Sequence, residues 1–328
     1  MDGHARDAET GSLAAEARDA LVREIDATGA WDADPVWRAS FAAVPRHLFV
    51  PYYFVARPRG YERRWGESPD PAARERWLLG AYEDVPLATR LRDGELVSSS
   101  SQPSLMALML TALEVADGDR VLEIGTGTGY HAALLAHRLG DDALVTTVDL
   151  EPEITEAARR HLAAAGYRPA VLTGDGARGV PERAPYDRIV ATCELSTVPR
   201  AWLAQCRPGG RILMPFATGV VALDVAGAAR AEGRFLATPA YFVPLRGCTG
   251  PVPEPVPLGG VPAAARQDDL FRFLLALTRG RLGPQEAYVL WEREGRPGRA
   301  RYGMTVSGER AWAWLDDPAG PYSWPLPG

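Results

Sequence analysis

The chain has 328 residues, 46% hydrophobic and 24% charged, the make-up of an ordinary globular protein with one large domain or a core and an appendage. A net charge of -6 excludes the global basic field that nucleic acid or anionic membranes require, and no apolar run reaches membrane-spanning length. Cys193, Cys206 and Cys248 form no CxxC and no metal spacing, so the expectation is a soluble, cytoplasmic protein with no metal site.

Met1 to Thr10 is polar and expected to be disordered. Leu13, Ala17, Leu21 and Ile25 mark a helix ended by Gly29, and Asp34-Pro35 opens a second short one. The apolar, proline-broken segment 42–54 leads into 57–80, rich in Arg, Pro and Trp, which reads as an inserted surface loop facing substrate. Within it, Arg63, Arg64 and Trp65 either hold an acidic or aromatic peptide or form a solvated charge run.

The stretch from Ser98 to Gly129 reads as a Ser-rich turn, an apolar helix, a buried strand (Arg120 to Ile124) and the turn Gly125-Thr126-Gly127-Thr128-Gly129, which opens the helix Tyr130 to Leu139. Strands and helices then alternate as in parallel βαβ units. The expected elements are a strand Ala143 to Val148 ending at Asp149, a helix from Glu151-Pro152 to Ala165, a strand Ala170 to Thr173 and a strand Tyr186 to Thr192. A helix Pro199 to Cys206 and the turn Arg207 to Gly210 lead to a strand Arg211 to Phe216. Val220 to Val225 and Phe235 to Val243 are expected to close the sheet as an antiparallel pair.

Leu245 to Pro262 reads as a linker, Asp268 to Arg279 as a helix, and Ala287 to Trp291, Arg301 to Val306 and Ala311 to Leu315 as strands or short extended pieces. The fold class is α/β: a doubly wound, mostly parallel sheet with N-terminal helices and a C-terminal α+β extension. Domain limits are expected at 1–100, 101–244 and 245–328.

A strand that delivers a glycine turn to a helix N-terminus is a cofactor cradle, because glycines allow close approach and the helix end offers free N–H groups. GxGxG after Glu123 is not the GxGxxG of dinucleotide sites. It matches the pattern of S-adenosyl-L-methionine-dependent methyltransferases. Asp149, twenty residues past Gly129 at a strand end, suits two ribose hydroxyls better than a plain helix cap. Asp175 in Gly-Asp-Gly suits an adenine amino group or a simple turn. Glu123 orients either the glycine loop or the methionine amino group. His131 and His137 read as packing or surface residues.

Ser101-Gln102-Pro103 sits at a helix mouth with Pro103 at the first position. It is either an N-cap or the place where a substrate carboxylate meets the methyl donor.

AAVPRHLFVP, SSSSQPSLMA, VLEIGTGTGYHAALLA, Asp149, the GDG at 174–176, APYDRIVAT and RPGGRILMPF occur in the order found in protein-L-isoaspartate O-methyltransferases. The chain resembles that family over about residues 35–225. The resemblance implies a Rossmann-like class I methyltransferase fold, S-adenosyl-L-methionine as cofactor with S-adenosyl-L-homocysteine as product, and a peptide substrate. It implies Ser101 as the active-site serine and Gly125, Gly127, Gly129, Asp149 and Asp175 at the cofactor, and Glu123, Thr126, Leu150 and Gly176 are expected beside them. Ser100, Gln102, Pro103, Cys193 and Glu194 are placed beside the substrate.

The long C-terminal extension, the SSSSQPSLM form and the ending around WAWLDDP resemble actinobacterial relatives that act on ribosomally made, modified peptides, and the 57–80 insertion and the CELSTVP run at 193–199, which depart from the family, favour the same reading. That narrower likeness implies methyl esterification of an ordinary aspartate in a precursor peptide, collapsing to aspartimide and onward to isoaspartate. Isoaspartyl repair and an inactive peptide-binding module are the alternatives, and oligomeric state stays open.

Overall fold

The computed structural model describes residues 2–58, 60–246 and 258–327. They fall into two compact units, Met1–Gly174 and Asp175–Gly328.

The first unit opens with α1 (Asp2–Thr28) and α2 (Val36–Ala43). Residues 2–10, expected to be disordered, instead continue α1, which stops where Gly29 takes φ +70°. The expected loop at 57–80 is also regular structure: β1 (Tyr52–Arg57), β2 (Gly60–Trp65) and α3 (Pro71–Ala81). Side chains alternate on the hairpin, with Tyr53 buried and Tyr52 exposed, and Asp70 caps α3 by accepting from the Ala72 N–H at 3.0 Å. Next come β3 (Leu87–Arg92) and β4 (Glu95–Ser100). The serines at 98–100, expected as a turn, therefore finish a strand, and the turn lies at Asp93-Gly94, where φ is positive. These four strands form an antiparallel sheet in the order β2-β1-β3-β4.

The remainder of this unit is α4 (Pro103–Leu113), β5 (Val121–Ile124), α5 (Tyr130–Leu139), β6 (Val145–Asp149), α6 (Pro152–Ala164) and β7 (Ala170–Thr173). β5, β6 and β7 pair in parallel, as the alternating pattern requires. β5 is buried throughout and β6 is Val-Thr-Thr-Val-Asp, a β-branched run suited to a central strand.

In the second unit, β8 (Tyr186–Ala191) and β9 (Cys206–Phe216) pair in parallel across α7 (Arg200–Gln205). The expected turn at 207–210 belongs to β9, with Gly209 at φ +83° beside a register shift. β10 (Gly219–Gly227) and β11 (Arg230–Phe235) form the antiparallel hairpin. It ends at Phe235 rather than beginning there, since Pro239 and Pro244 cannot donate to a ladder. Cys248 and residues 247–257 of the expected linker lie outside the described residues.

Beyond them come α8 (Ala263–Gln267), α9 (Asp269–Thr278) and α10 (Pro284–Arg293). The 287–291 piece is thus helical, not extended. Pro284 starts it, the Glu286 carboxylate accepts from the Gly283 N–H at 2.9 Å, and Ala287, Leu290 and Trp291 share one buried face. Finally β12 (Tyr302–Ser307), β13 (Arg310–Leu315) and β14 (Ser323–Pro325) add in sequence to β11. The C-terminal region therefore extends the sheet edge strand by strand, well past a single closing strand. Gly303 is required there: a Cβ would stand 2.1 Å from the Trp314 ring opposite it.

Candidate functional site

The glycine turn is stitched to the strand beside it. The Gly125 and Thr126 N–H groups both donate to the Val148 carbonyl, at 2.9 and 3.3 Å, and Gly129 N–H donates to Thr126 O at 2.9 Å. Gly125, Gly127 and Gly129 take φ of +96°, +51° and +88°, a backbone path that strains L side chains. A Cβ on Gly129 would press on Leu162 of α6 at 3.2 Å, whereas one on Gly127 would meet nothing nearer than Ser99 O at 3.6 Å. The middle glycine is thus met by the serine segment at ordinary contact distance. Its N–H donates to Asp149 Oδ2 at 3.1 Å, which sets the carboxylate of the β6 end against the turn. Leu150 stands next to it with a large apolar side chain 39% exposed.

A buried polar network fixes this geometry. Glu123 is fully buried, and its Oε2 accepts from the Thr147 hydroxyl at 2.6 Å. A hydroxyl has one proton, so the 2.7 Å contact between Thr126 and Thr147 has Thr126 as donor. Glu123 Oε1 lies 2.8 Å from His131 Nδ1, and a carboxylate acceptor places the ring proton there. Glu123 and Thr126 therefore act from inside the scaffold. His131, read from sequence as packing or surface, is buried and helps hold the acid. Burial and the nearby Arg160 charge lower His161, while its contact with the Thr128 carbonyl raises it, and burial prevails.

The serine segment is held by a different device. Arg46, in a 3-10 turn at Arg46–Phe49, is fully buried. Its guanidinium donates to the carbonyls of Ala81 (3.0 Å), Glu83 (2.9 Å), Val85 (3.1 Å) and Ser101 (3.1 Å), and reaches Ser100 O and Oγ at 3.5 and 3.4 Å. Burial lowers its pKa to about 10, so it stays charged at neutral pH. Ser100 is buried by these contacts. Ser101 is half-buried, its carbonyl clamped, and among the described residues its hydroxyl has no hydrogen-bond partner.

The Gln102 amide donates to Asp84 Oδ2 and to Ser104 Oγ, both at 3.1 Å. Asp84 Oδ1 also accepts from the Ser104 N–H at 2.8 Å, capping α4 beside the buried Pro103. Arg46 and Asp84 were not singled out in the sequence. The one available signal was a charge inside the apolar run AAVPRHLFVP.

In the second unit, the Asp175 carboxylate accepts from the Ala177 N–H at 3.0 Å and caps its own turn, Gly176–Arg178. Gly176 is buried and its carbonyl accepts from Trp202 Nε1 at 2.8 Å. Cys193 is buried and forms no disulfide among the described residues. Glu194 is half-buried, with its backbone bonded to Val243 and Leu245. Burial raises its carboxyl against the opposing pull of the Arg279 charge. Among the described residues no group of three or more His, Cys, Asp or Glu side chains could hold a metal ion.

The cradle fits S-adenosyl-L-methionine. Three glycines at positive φ shape the turn, an acid sits at the next strand end, and an exposed leucine stands next to it.

Comparison with known proteins agrees. The profile of the family described as protein-L-isoaspartate(D-aspartate) O-methyltransferase matches residues 72–245. A protein-L-isoaspartate O-methyltransferase from Ignicoccus hospitalis is 38% identical over 196 residues, 60% of this chain and 79% of the relative. A solved structure of a protein-L-isoaspartate O-methyltransferase superposes with a TM-score of 0.62 at 24% identity, covering 94% of this chain and 98% of its own. A Plasmodium falciparum structure, described as a protein-L-isoaspartate O-methyltransferase (PCMT) in complex with S-adenosyl-L-homocysteine, superposes at 0.52 and 14% identity, covering 69% and 97%. The fold is that of a Rossmann-like class I methyltransferase with an added C-terminal β region, and the chain belongs to the protein-L-isoaspartate O-methyltransferase family of S-adenosyl-L-methionine-dependent enzymes.

Proposed function

We propose that this protein methylates the free carboxylate of L-isoaspartyl residues in polypeptides, the first step of isoaspartyl repair. The observation that carries the reading is the Ser101 hydroxyl, without a hydrogen-bond partner among the described residues, next to its own carbonyl clamped by Arg46, in the segment whose Ser99 carbonyl packs toward Gly127 of the turn. When bound, S-adenosyl-L-methionine supplies the electrophilic methyl group. A carboxylate with an ordinary pKa near 4 is already ionised at neutral pH, so no residue need remove a proton. Ser101 aims the carboxylate by donating a hydrogen bond, Asp149 and the turn hold the donor, and positioning with water exclusion supplies the rate.

The same chemistry would esterify an ordinary aspartate in a dedicated precursor peptide and lead to aspartimide. Two of the features behind that narrower reading have other accounts. The 57–80 insertion is an ordered hairpin and helix, and the C-terminal strands continue the sheet within a fold likeness that covers 94% of the chain. Repair is therefore the preferred reading.

Mass spectrometry after incubation with S-adenosyl-L-methionine and matched peptides containing isoaspartate or aspartate tests it. Methyl gain on the isoaspartyl peptides is expected. Methyl gain restricted to an ordinary aspartate, followed by methanol loss to a species one water lighter than the start, would overturn it. Ser101→Ala should leave cofactor binding intact and lower turnover on the order of 10-fold to 1000-fold; unchanged turnover would remove Ser101 from the reaction. A titration with S-adenosyl-L-homocysteine that shows no binding would point instead to an inactive module.

A further inference from the structure

The hairpin β1–β2 lies N-terminal to the residues that the family profile matches, and the proposed methyl transfer uses none of its residues. Its register pairs Tyr52 with Trp65, Phe54 with Arg63 and Ala56 with Tyr61, so these six share one face. The opposite face carries Tyr53, whose hydroxyl bonds the Trp77 carbonyl in α3. The outer face stays uncovered within its unit, with Tyr52 37%, Tyr61 48% and Trp65 36% exposed. Three of the four large exposed aromatics among the described residues are therefore on one face of one hairpin, a concentration that marks an interaction surface.

The charge on that face is also unusual. The sheet holds five arginines among its described strands. Arg57 and Arg64 pair with Glu62, and Arg90 and Arg92 pair with Glu151 or Glu153. Arg63 has no carboxylate partner among the described residues. Its guanidinium lies 4.5 Å from the centre of the Tyr52 ring and 5.7 Å from that of Trp65. Stacking of this kind fixes the plane of the cation and leaves its N–H edge to take a carboxylate in two parallel bonds.

The face also runs to the site. Arg63 opposes Phe54, Phe54 opposes Ala88 and Ala88 opposes Ser99, one lateral row across β2, β1, β3 and β4. Residues directly opposed point to the same side, so the row is continuous. Tyr53, Leu87 and Ser100, on the inner side, are all buried. Ser99 is the residue whose carbonyl faces Gly127. Three strand spacings separate Arg63 from Ser99, about 14 Å, which an extended polypeptide covers in about four residues.

Resting on the proposed reading of the site, we infer that the outer face of this sheet docks the substrate polypeptide and that Arg63 receives an acidic side chain about four residues from the one that is methylated. Tyr52 and Trp65 flank that side chain and hold the cation in plane. The surface adds selectivity for acidic context without touching the reacting atoms.

The experiment uses isoaspartyl peptides in which a single Glu or Gln is moved from about two to about six residues on either side of the isoaspartate. Equilibrium binding is read by fluorescence anisotropy in the presence of S-adenosyl-L-homocysteine, and methyl transfer as kcat/KM. The wild-type protein should prefer Glu over Gln about 5-fold near the fourth position on one side, in binding and in kcat/KM alike. Arg63→Gln should reduce that ratio to about one, Arg63→Lys should keep part of it, and Arg63→Glu should favour a Lys peptide. A wild-type protein indifferent to Glu at every position, or a preference that survives Arg63→Gln, overturns the inference. Arg63-dependent binding of oligouridylate, or Arg63-dependent self-association, without any peptide preference overturns it as well. If the binding preference follows Arg63 while no isoaspartyl peptide is methylated, the docking surface stands and the repair reading fails.

Discussion

The glycine turn and the serine segment face each other, Ser99 O lying 3.6 Å from where a Gly127 Cβ would be, yet they are built on opposite plans. The turn is held by its own βα unit. Val148 O, Thr147 and Asp149 come from the next strand, 21 to 24 residues on, and every contact is between neutral groups or a carboxylate and its immediate donors. The serine segment, paired with β3 through residues 98–100, is tied besides to one buried cation 55 residues upstream and to a carboxylate cap 20 residues upstream. A local cradle tolerates change in distant parts of the chain. A segment tied to a single desolvated guanidinium does not, because loss of that group leaves several carbonyls unpaired at once.

The strongest test of this contrast is Arg46→Met, which keeps approximate bulk and removes every donor. A loss of 3–5 kcal/mol of stability, to order of magnitude, is expected in chemical denaturation, since the Ala81, Glu83, Val85 and Ser101 carbonyls lose their shared partner. Arg46→Lys keeps the charge but not the planar fork, and should recover part of the stability and little of the turnover. A fully stable Arg46→Met protein would show that the segment is held by something else.

Asp149→Ala strikes the other plan. It takes away the acceptor of the Gly127 N–H and the acid at the strand end. The affinity for S-adenosyl-L-homocysteine, read by calorimetry, should fall on the order of 10-fold to 100-fold, about 1.4 to 2.7 kcal/mol, while the melting temperature moves little. An unchanged affinity would place the ribose elsewhere.

The same difference in plan explains what the sequence revealed. The helix Tyr130–Leu139 and the strand Ala170–Thr173 lie where the pattern put them, because glycine caps and β-branched runs are read over a few residues. The cradle residues were legible for that reason. Arg46 and Asp84 were not, since their partners are backbone carbonyls and a helix end that only the fold brings near. The hairpin at 52–65 was hidden in a similar way. Its alternation is visible only once Tyr53 is known to point inward, and the arginines and prolines around it look like loop.

Acid should separate the two regions further. His47, next to Arg46, bonds the Tyr82 hydroxyl through Nδ1 at 2.6 Å, and burial, aided by the Arg18 charge, lowers its pKa to about 4. The neutral ring is the one that the folded state accepts. Above the unfolded value near 6.5 neither state binds a proton, and between 6.5 and 4 the unfolded chain binds more. Stability is therefore complete at pH 7 and falls as pH drops through that window, by about 2 kcal/mol at pH 5 from this group. His47→Gln should remove most of that slope. His161, which contacts the Thr128 carbonyl on the cradle side, is also lowered, and His161→Gln should remove less.

The smallest effect decides the role of Gln102. Asp84→Ala removes the cap on α4 and should cost about 1 kcal/mol. If the Gln102 amide serves only to bond Asp84 and Ser104, then Gln102→Ala costs less stability in the Asp84→Ala background than alone, because the Asp84 bond is already gone and only the bond to Ser104 is left to lose. The KM for an isoaspartyl peptide should then be equal in the single and double variants. A further rise in KM in the double variant would mean that the amide turns to the substrate once Asp84 releases it. The serine segment would then carry two groups for the acceptor instead of Ser101 alone.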